Sequence, residues 1–212
     1  LIFADGGITV LGANIFNMAL VGSIPAMIYF YLNQKSKFFN GKFAKISAIF
    51  FTSWFSIVLA SVICSIELAL SQVIGFTKVL PAMTFVHSII GLFEGAITLS
   101  LILLLETPKI KNSTKLSFTV PFISSAAIAL LLTPFASGFP DGLEYVANKY
   151  AFIREGSTLL LSPLPDYTLP FITNEFLSTG IAGLAGVLIV FAIVFLSGML
   201  LKKRNDAPKN AI

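Results

Sequence analysis

The stretch LSTGIAGLAGVLIVFAIVFLSGMLL, residues 177–201, carries no charged side chain. An α-helix needs about 20 apolar residues to cross the hydrocarbon core of a bilayer, so this stretch predicts a transmembrane helix. Four further stretches meet the same criterion: residues 10–32, 46–70, 81–105 and 116–137. We therefore expect an all-α membrane protein with about five transmembrane helices.

The composition of the 212-residue chain points the same way, since 56% of the residues are hydrophobic and only 11% are charged. A soluble domain carries about 25% charged residues. The formal net charge of +4 does not indicate a nucleic-acid partner, because the basic residues lie in short tracts beside apolar segments. We expect a multi-pass protein of a prokaryotic inner or plasma membrane, surrounded by lipid.

The basic tracts also predict an orientation. Most of the 14 Lys and Arg residues lie in residues 33–45, in residues 106–115 and after residue 201. The positive-inside rule places these three tracts in the cytoplasm, with the N-terminus outside and the C-terminus cytoplasmic. The connection 138–176 is then extracytoplasmic, and a connection this long is usually functional or folded in its own right.

Polar side chains inside membrane spans are costly, so they are the first candidates for function. Residues 5–17 read DGGITVLGANIFN and contain Asp5, Asn14 and Asn17 beside three glycines. Two interpretations stay open for this stretch. It is either a half-buried, non-helical segment that lines a cavity, or an ordinary turn followed by the start of a helix.

His87 and Glu94 lie seven residues apart in the third span. They share a helix face but are separated by about 10 Å along the axis, which does not favour joint chelation of one ion. We expect a polar stripe that faces the helix bundle, with Gly91 leaving a notch between them. Glu94 would then either hold a proton or take a hydrogen bond, with Asn14 and Asn17 as the candidate donors, so that the stripe fixes the first span against the third.

The remaining candidates lie near the predicted outer surface. Glu67 is expected to be an interfacial carboxylate at the end of the second span. Asp141 and Glu144 follow a Pro-Asp-Gly turn signal, and either attract cations or are simply solvated. Cys64 stands in an apolar run and is expected to be a buried, inert thiol.

The glycines at positions 180, 183 and 186 form a smooth helix face, used either for generic membrane packing or for docking of another subunit. No nucleophile–base arrangement, HExxH, CxxC or Walker motif occurs. A single histidine and a single cysteine do not make a tight transition-metal site. We expect neither an enzyme nor a tightly bound cofactor.

Three stretches resemble one known family, the metal-specific membrane subunit of cobalt/nickel energy-coupling-factor importers (the CbiM/NikM type). DGGITVLGANIFNMALVG at 5–22 is similar to its glycine-rich signature, and HSIIGLFEGAIT at 87–98 is similar to a later helix. FPDGLEYVANKY at 139–150, with PLPDYTLP at 163–170 and the glycine-rich last span, resembles the accessory PDGLE or CbiN-like domain.

This resemblance implies two domains. Residues 1–115 would be the C-terminal part of the metal-specific domain, and 116–212 a PDGLE/CbiN-like domain with two transmembrane helices and an extracytoplasmic loop. The implied function is the substrate-specific membrane component of an ATP-driven importer of Ni²⁺ or Co²⁺. Its implied partners are a coupling membrane subunit and ATP-binding cassette ATPases.

The family captures its metal with an N-terminal amine and histidines that have no counterpart in this sequence. We therefore expect the metal ligands upstream of Leu1. Two other functions stay open: a non-transporting accessory or assembly subunit, and a proton-coupled secondary carrier that uses Glu67, Glu94 or Asp141.

Overall fold

A computed structural model describes residues 10–35, 41–131, 141–152, 164 and 167–205. Every regular element among these residues is helical. The elements are α1 (Leu11–Asn14), a π-helix (Ile15–Val21), α2 (Ile24–Lys35), α3 (Lys42–Leu70), α4 (Phe76–Leu105), α5 (Pro108–Lys111), α6 (Thr114–Leu131), α7 (Gly142–Lys149) and α8 (Glu175–Asn205). The predicted all-α fold is confirmed for this part of the chain.

Four helical segments are long and apolar enough to cross a membrane: Leu11–Lys35, Lys42–Leu70, Phe76–Leu105 and Glu175–Leu200. They correspond to four of the five predicted spans. The fifth, predicted at 116–137, corresponds to α6, which is described as far as Leu131. Residues 132–137 lie outside the described part, so the count of five stays a prediction, as does the orientation.

The described residues fall into two compact units. The first, which we call the hairpin unit, contains the residues described between 10 and 108 together with 141–152. The second, the tail unit, contains those described from 109 to 131 and from 164 to 205.

The antiparallel pair α3–α4 forms the centre of the hairpin unit. Its turn at 71–75 places Gln72 at a φ of 58°, a left-handed conformation that a non-glycine residue adopts in tight turns. We call the end of the pair that holds this turn the turn end, and the opposite end, with residues 42–50 and 98–106, the open end. At the open end, Lys45 Nζ forms an exposed ion pair with both carboxylate oxygens of Glu106, at 2.6 and 2.7 Å.

Two glycines allow α3 and α4 to pack closely. A Cβ atom on Gly91 would lie 3.1 Å from Trp54 Cδ1, and one on Gly95 would lie 3.2 Å from the Phe50 carbonyl oxygen. The notch predicted at Gly91 is therefore present and is filled by Trp54. The Trp54 indole N–H donates to the Ser88 carbonyl at 3.0 Å, which gives the side chain a polar partner inside the interface.

In the tail unit, α6 packs on α8 through four aromatic rings, those of Phe118, Phe122, Phe191 and Phe195. The Phe122 and Phe191 rings meet edge to face with centroids 5.1 Å apart, a favoured geometry for aromatic pairs. At the start of α8, Gly180 is buried while Gly183 and Gly186 are half-buried, as expected for a packing face.

Candidate functional site

The first span is irregular at its centre. Between α1 and α2, residues Ile15–Val21 form a π-helix, closed by the Gly22 N–H donating to the Asn17 carbonyl at 3.0 Å. A Cβ atom on Gly22 would lie 2.6 Å from the Met18 carbonyl oxygen, so the local fold requires glycine there. Such π segments occur frequently at functional sites because they redirect side chains that a regular helix would space evenly.

This π-helix buries two side chains, Asn17 and Val21, and Asn17 is the polar one. It is 7% exposed, and its Nδ2 donates to Glu67 Oε2 of α3 at 2.6 Å. The bond joins positions 50 apart in sequence and links the first span to the turn end of α3. Hydrogen bonds to a charged acceptor are shorter and stronger than neutral ones, so this pair fixes the position of the π-helix on α3.

The side-chain oxygen of Asn17 can accept a further hydrogen bond. Asn17 Oδ1 is buried and has no hydrogen-bond partner among the described residues. A buried acceptor costs free energy unless it receives a donor.

The pair differs from the sequence-based predictions. Asn17 donates to Glu67 and not to Glu94, so the expected stripe does not fix the first span against α4. Asn14 is exposed on the helix surface. The π-helix and α2 pack on α3, which brings the partly buried carboxylate of Glu67 to Asn17. The interfacial position expected for Glu67 stays a prediction.

The sequence left open whether residues 11–17 form a non-helical segment or the start of a helix, and the structure decides between the two. From Leu11 onward the chain is helical, first as α1 and then as the π-helix, so the non-helical interpretation is wrong for these residues. Asp5 and the glycines at 6 and 7 lie outside the described residues.

His87 and Glu94 have different environments although they lie on one stripe of α4. The half-buried His87 ring forms a 2.9 Å hydrogen bond from Nδ1 to the Met83 carbonyl. Glu94 is exposed on the surface of this chain, which contradicts the prediction that it faces the bundle. The reason is that α7 covers α4 only near the turn end, around His87, and the same stripe is uncovered farther along.

The Pro-Asp-Gly signal leads into a helix, and attraction of cations by Asp141 and Glu144 stays a prediction. Asp141 is the N-cap of α7, and its Oδ1 accepts from the Glu144 N–H at 2.7 Å, a bond typical of a capping aspartate. Glu144 is exposed in the first turn, where a negative charge is favourable. Among the described residues, no group of three or more His, Cys, Asp or Glu side chains is placed to hold a metal ion.

Sequence reasoning identified Asn17 but missed its partner. The signal was available, because Glu67 is the one carboxylate of its span and Asn17 lies in the neighbouring span. The contact of α7 with His87 was missed altogether, since no periodicity in the sequence shows where a short helix in a long loop packs.

Comparison with known proteins places these features in a family. The profile of the CbiM family, described as the cobalt uptake substrate-specific transmembrane region, matches residues 1–112. The profile of the PDGLE domain matches residues 116–203. No solved structure matches the chain significantly.

Several curated proteins are similar in sequence. A protein of Archaeoglobus fulgidus, named as a fused nickel transport protein NikMN, is 33% identical over 204 residues, which are 92% of this chain and 66% of that relative. An uncharacterized protein of Methanothermobacter thermautotrophicus is 36% identical over 97 residues, 45% of this chain and 92% of the relative. A protein of Methanocaldococcus jannaschii, named as a metal transport protein, is 35% identical over 94 residues, 41% of this chain and 40% of the relative.

The chain thus spans about two thirds of the length of the fused relative. Members of the matching family are membrane components of transporters, and the described part of this chain contains four helices able to cross a bilayer. It is a multi-pass membrane protein. The CbiM profile covers more than half of its residues and the PDGLE profile most of the rest, so the chain belongs to the CbiM family and carries a fused PDGLE domain.

Proposed function

We propose that this chain is the substrate-specific membrane component of an ATP-driven importer, with Ni²⁺ or Co²⁺ as its transported substrate. The observation that carries the proposal is the presence of a CbiM region and a PDGLE region in one polypeptide. A relative named for nickel transport aligns with 92% of the chain, which supports a metal ion as the cargo. Nickel and cobalt both stay in the proposal, because the two ions accept similar nitrogen donors and are distinguished by site geometry.

The proposed partners follow from the division of labour in a substrate-specific component. We place energy coupling in separate subunits, a coupling membrane protein and ATP-binding cassette ATPases. The apolar helices of this chain would meet the coupling subunit within the bilayer, where close helix packing rather than the hydrophobic effect holds subunits together.

Asn17 and Glu67 have a supporting role in this proposal. Their bond anchors the π-helix on α3. An amide and a carboxylate are poor ligands for nickel or cobalt compared with imidazole. The role proposed for the pair is therefore to position the π-helix and not to bind the ion.

The test is metal uptake by whole cells. The polypeptide that contains this chain would be produced with its coupling subunit and ATPases in a bacterial strain that lacks its own nickel and cobalt importers. Accumulation of radioactive nickel and cobalt is then measured over time. We expect accumulation that disappears when the Walker lysine of the ATPases is replaced.

Two outcomes would contradict the proposal. Uptake that persists with inactive ATPases but collapses with a proton uncoupler would indicate a secondary carrier. A complex that assembles in the membrane, is stable in detergent and takes up neither ion would indicate an accessory subunit without transport activity.

A further inference from the structure

Glu94 leaves a carboxyl group on the outer surface of α4 at the depth of the hydrocarbon core. α4 has 30 residues, which makes it about 45 Å long at 1.5 Å per residue, whereas the core is about 30 Å thick. With the middle of α4 at the middle of the bilayer, Glu94 lies about 5 Å from the midplane and about 10 Å inside the nearer edge of the core. A glutamate side chain is too short to reach water from there, unlike the long stems of lysine and arginine.

The carboxyl group of Glu94 makes no hydrogen bond or ion pair among the described residues. Other polar side chains of α4 are engaged elsewhere. His87 Nδ1 is bound to the Met83 carbonyl at 2.9 Å, and Thr98 Oγ1 accepts from the Ser53 hydroxyl at 3.2 Å. A carboxyl group keeps at least one oxygen that needs a donor in either protonation state, and an unmatched one inside a membrane is costly. Its donor must come from outside the described residues.

The stripe of α4 that carries Glu94 is covered by a helix at one end and bare at the other. At the turn end α7 lies on it, since a Cβ atom on Gly142 would stand 3.0 Å from Ile90 Cδ1. Beyond that point Glu94, Ile97 and Leu101 follow at helical spacing and are all exposed. We call these three residues the Glu94 face. It is apolar apart from its single carboxyl group.

This combination specifies the chemistry of the group that covers the Glu94 face. Lipid tails or a wholly apolar helix would leave the carboxyl group without a donor. A transmembrane helix with a donor side chain at this depth complements both the apolar residues and the acid, because polar side chains hydrogen-bond across helices in a membrane. Of the partners proposed above, the coupling subunit is the one embedded in the bilayer.

We infer that the Glu94 face is a docking surface for a transmembrane helix of the coupling membrane subunit, and that this helix carries a hydrogen-bond donor side chain opposite Glu94. The inference rests on the proposed function and deepens it, since it names the surface through which the two membrane components meet.

Photocrosslinking in the assembled complex tests the contact. Benzoylphenylalanine replaces Leu101, on the Glu94 face, in the polypeptide that contains this chain, produced in bacterial membranes with its coupling subunit and ATPases. The matched control carries the same group in place of Leu103. The two leucines are 43% and 41% exposed, and positions two apart on a helix point about 200° apart. We expect the coupling subunit to be crosslinked from position 101 and not from position 103.

Substitution of Glu94 distinguishes docking from lipid contact by the sign of its effect. On a lipid-covered face, Glu94→Leu would remove a costly group and leave recovery of the coupling subunit unchanged. Docking predicts that the coupling subunit that copurifies in detergent falls about tenfold in Glu94→Leu, the loss of one interhelical hydrogen bond, and less than about twofold in Glu94→Gln, which keeps an acceptor oxygen. Glu144→Leu, at an exposed acid outside the predicted spans, is the control and should change nothing.

Nickel and cobalt uptake by the same cells separates this inference from the proposed function. Equal crosslinking from positions 101 and 103, or full recovery of the coupling subunit with Glu94→Leu, would overturn the docking surface even where uptake is normal. A product from position 101 that contains only the polypeptide itself would also overturn it, because another part of that polypeptide would then cover the face. The expected crosslink in cells that take up neither ion would support the docking surface and contradict the proposed function.

Discussion

The two ends of the α3–α4 pair solve the problem of polar groups in opposite ways. At the turn end, the amide of Asn17 and the carboxylate of Glu67 are matched within the protein, and α7 closes over His87. At the open end, Lys45 and Glu106 meet in an ion pair that is exposed to solvent. The same hairpin therefore has one end ordered by interior contacts and one end whose charges remain hydrated.

This difference predicts where substitutions will matter. A charge that is shielded from water has few alternatives to its protein partner, so loss of that partner is costly. A charge in water regains most of what it loses by hydration. Substitutions at the turn end should therefore destabilise the fold far more than chemically similar substitutions at the open end.

The largest effect is expected at Asn17. Asn17→Leu keeps the volume but leaves the Glu67 carboxylate without its donor, which should lower the free energy of unfolding by about 3 kcal/mol. Asn14→Leu is the matched control, because Asn14 lies three residues earlier and is exposed. Thermal unfolding in detergent, followed by loss of the monodisperse peak, measures both. Equal shifts for the two variants would show that the Asn17–Glu67 bond does not stabilise the protein.

At the turn end, features that depend on residues close together in the sequence could be predicted, and features that depend on packing between helices could not. Spans follow from runs of apolar residues, and the notch at Gly91 follows from a small residue at one position, so both were predicted. The partner of Asn17 depends on which helices pack together and at what relative depth. Hydrophobic periodicity does not carry that information, and the prediction chose Glu94 instead of Glu67.

The exposure of Glu94 is a second feature that hydrophobic periodicity could not predict. A shared face with His87 suggested shared burial, but burial depends on what covers the face. The eight-residue helix α7 covers only the His87 region. Its position is set by the shape complementarity of Gly142 with a histidine ring and by Val146, which are pairwise properties that a single sequence does not display.

The second largest effect is expected between the two ends, where Gly91 lets the two helices pack closely. Gly91→Leu would force a side chain into the space held by Trp54 Cδ1 and the Trp54 carbonyl oxygen, which lie 3.1 and 3.2 Å from a Cβ atom. We expect a loss of about 2 kcal/mol, since a backbone carbonyl cannot move aside as a flexible side chain does.

The control for Gly91→Leu is Gly198→Leu in α8, where a Cβ atom meets nothing within 4 Å. Melting temperatures of the two variants in the same detergent make the comparison. A Gly91→Leu protein as stable as Gly198→Leu would mean that α3 and α4 are farther apart than described.

A smaller effect is expected from Trp54→Phe. This change removes the indole N–H that donates to the Ser88 carbonyl but keeps most of the ring that fills the space above Gly91. The carbonyl of Ser88 is a helix acceptor in its own right, so no buried group is left unpaired, and the loss should be about 1 kcal/mol. Phe55→Leu, an exposed position on the same helix, should change the melting temperature less. A larger change in melting temperature for Phe55→Leu than for Trp54→Phe would show that the hydrogen bond of Trp54 does not stabilise this interface.

The smallest effect is expected at the open end, from Lys45→Met. This substitution removes the ammonium group that contacts both oxygens of Glu106 at 2.6 and 2.7 Å. Although the geometry is close, both side chains are exposed, and such pairs contribute about 0.2 to 1 kcal/mol. The melting temperature in low salt should therefore fall slightly, and much less than for Asn17→Leu.

The salt dependence decides whether that small loss is electrostatic. At about 1 M salt the Debye length is only about 3 Å, so the difference between wild type and Lys45→Met should vanish. Lys42→Met, at the first position of α3, is the matched control that removes a charge without removing this pair. A Lys45→Met defect that persists in high salt and rivals that of Asn17→Leu would mean that the open end is held by a desolvated charge pair, and the contrast between the two ends would fail.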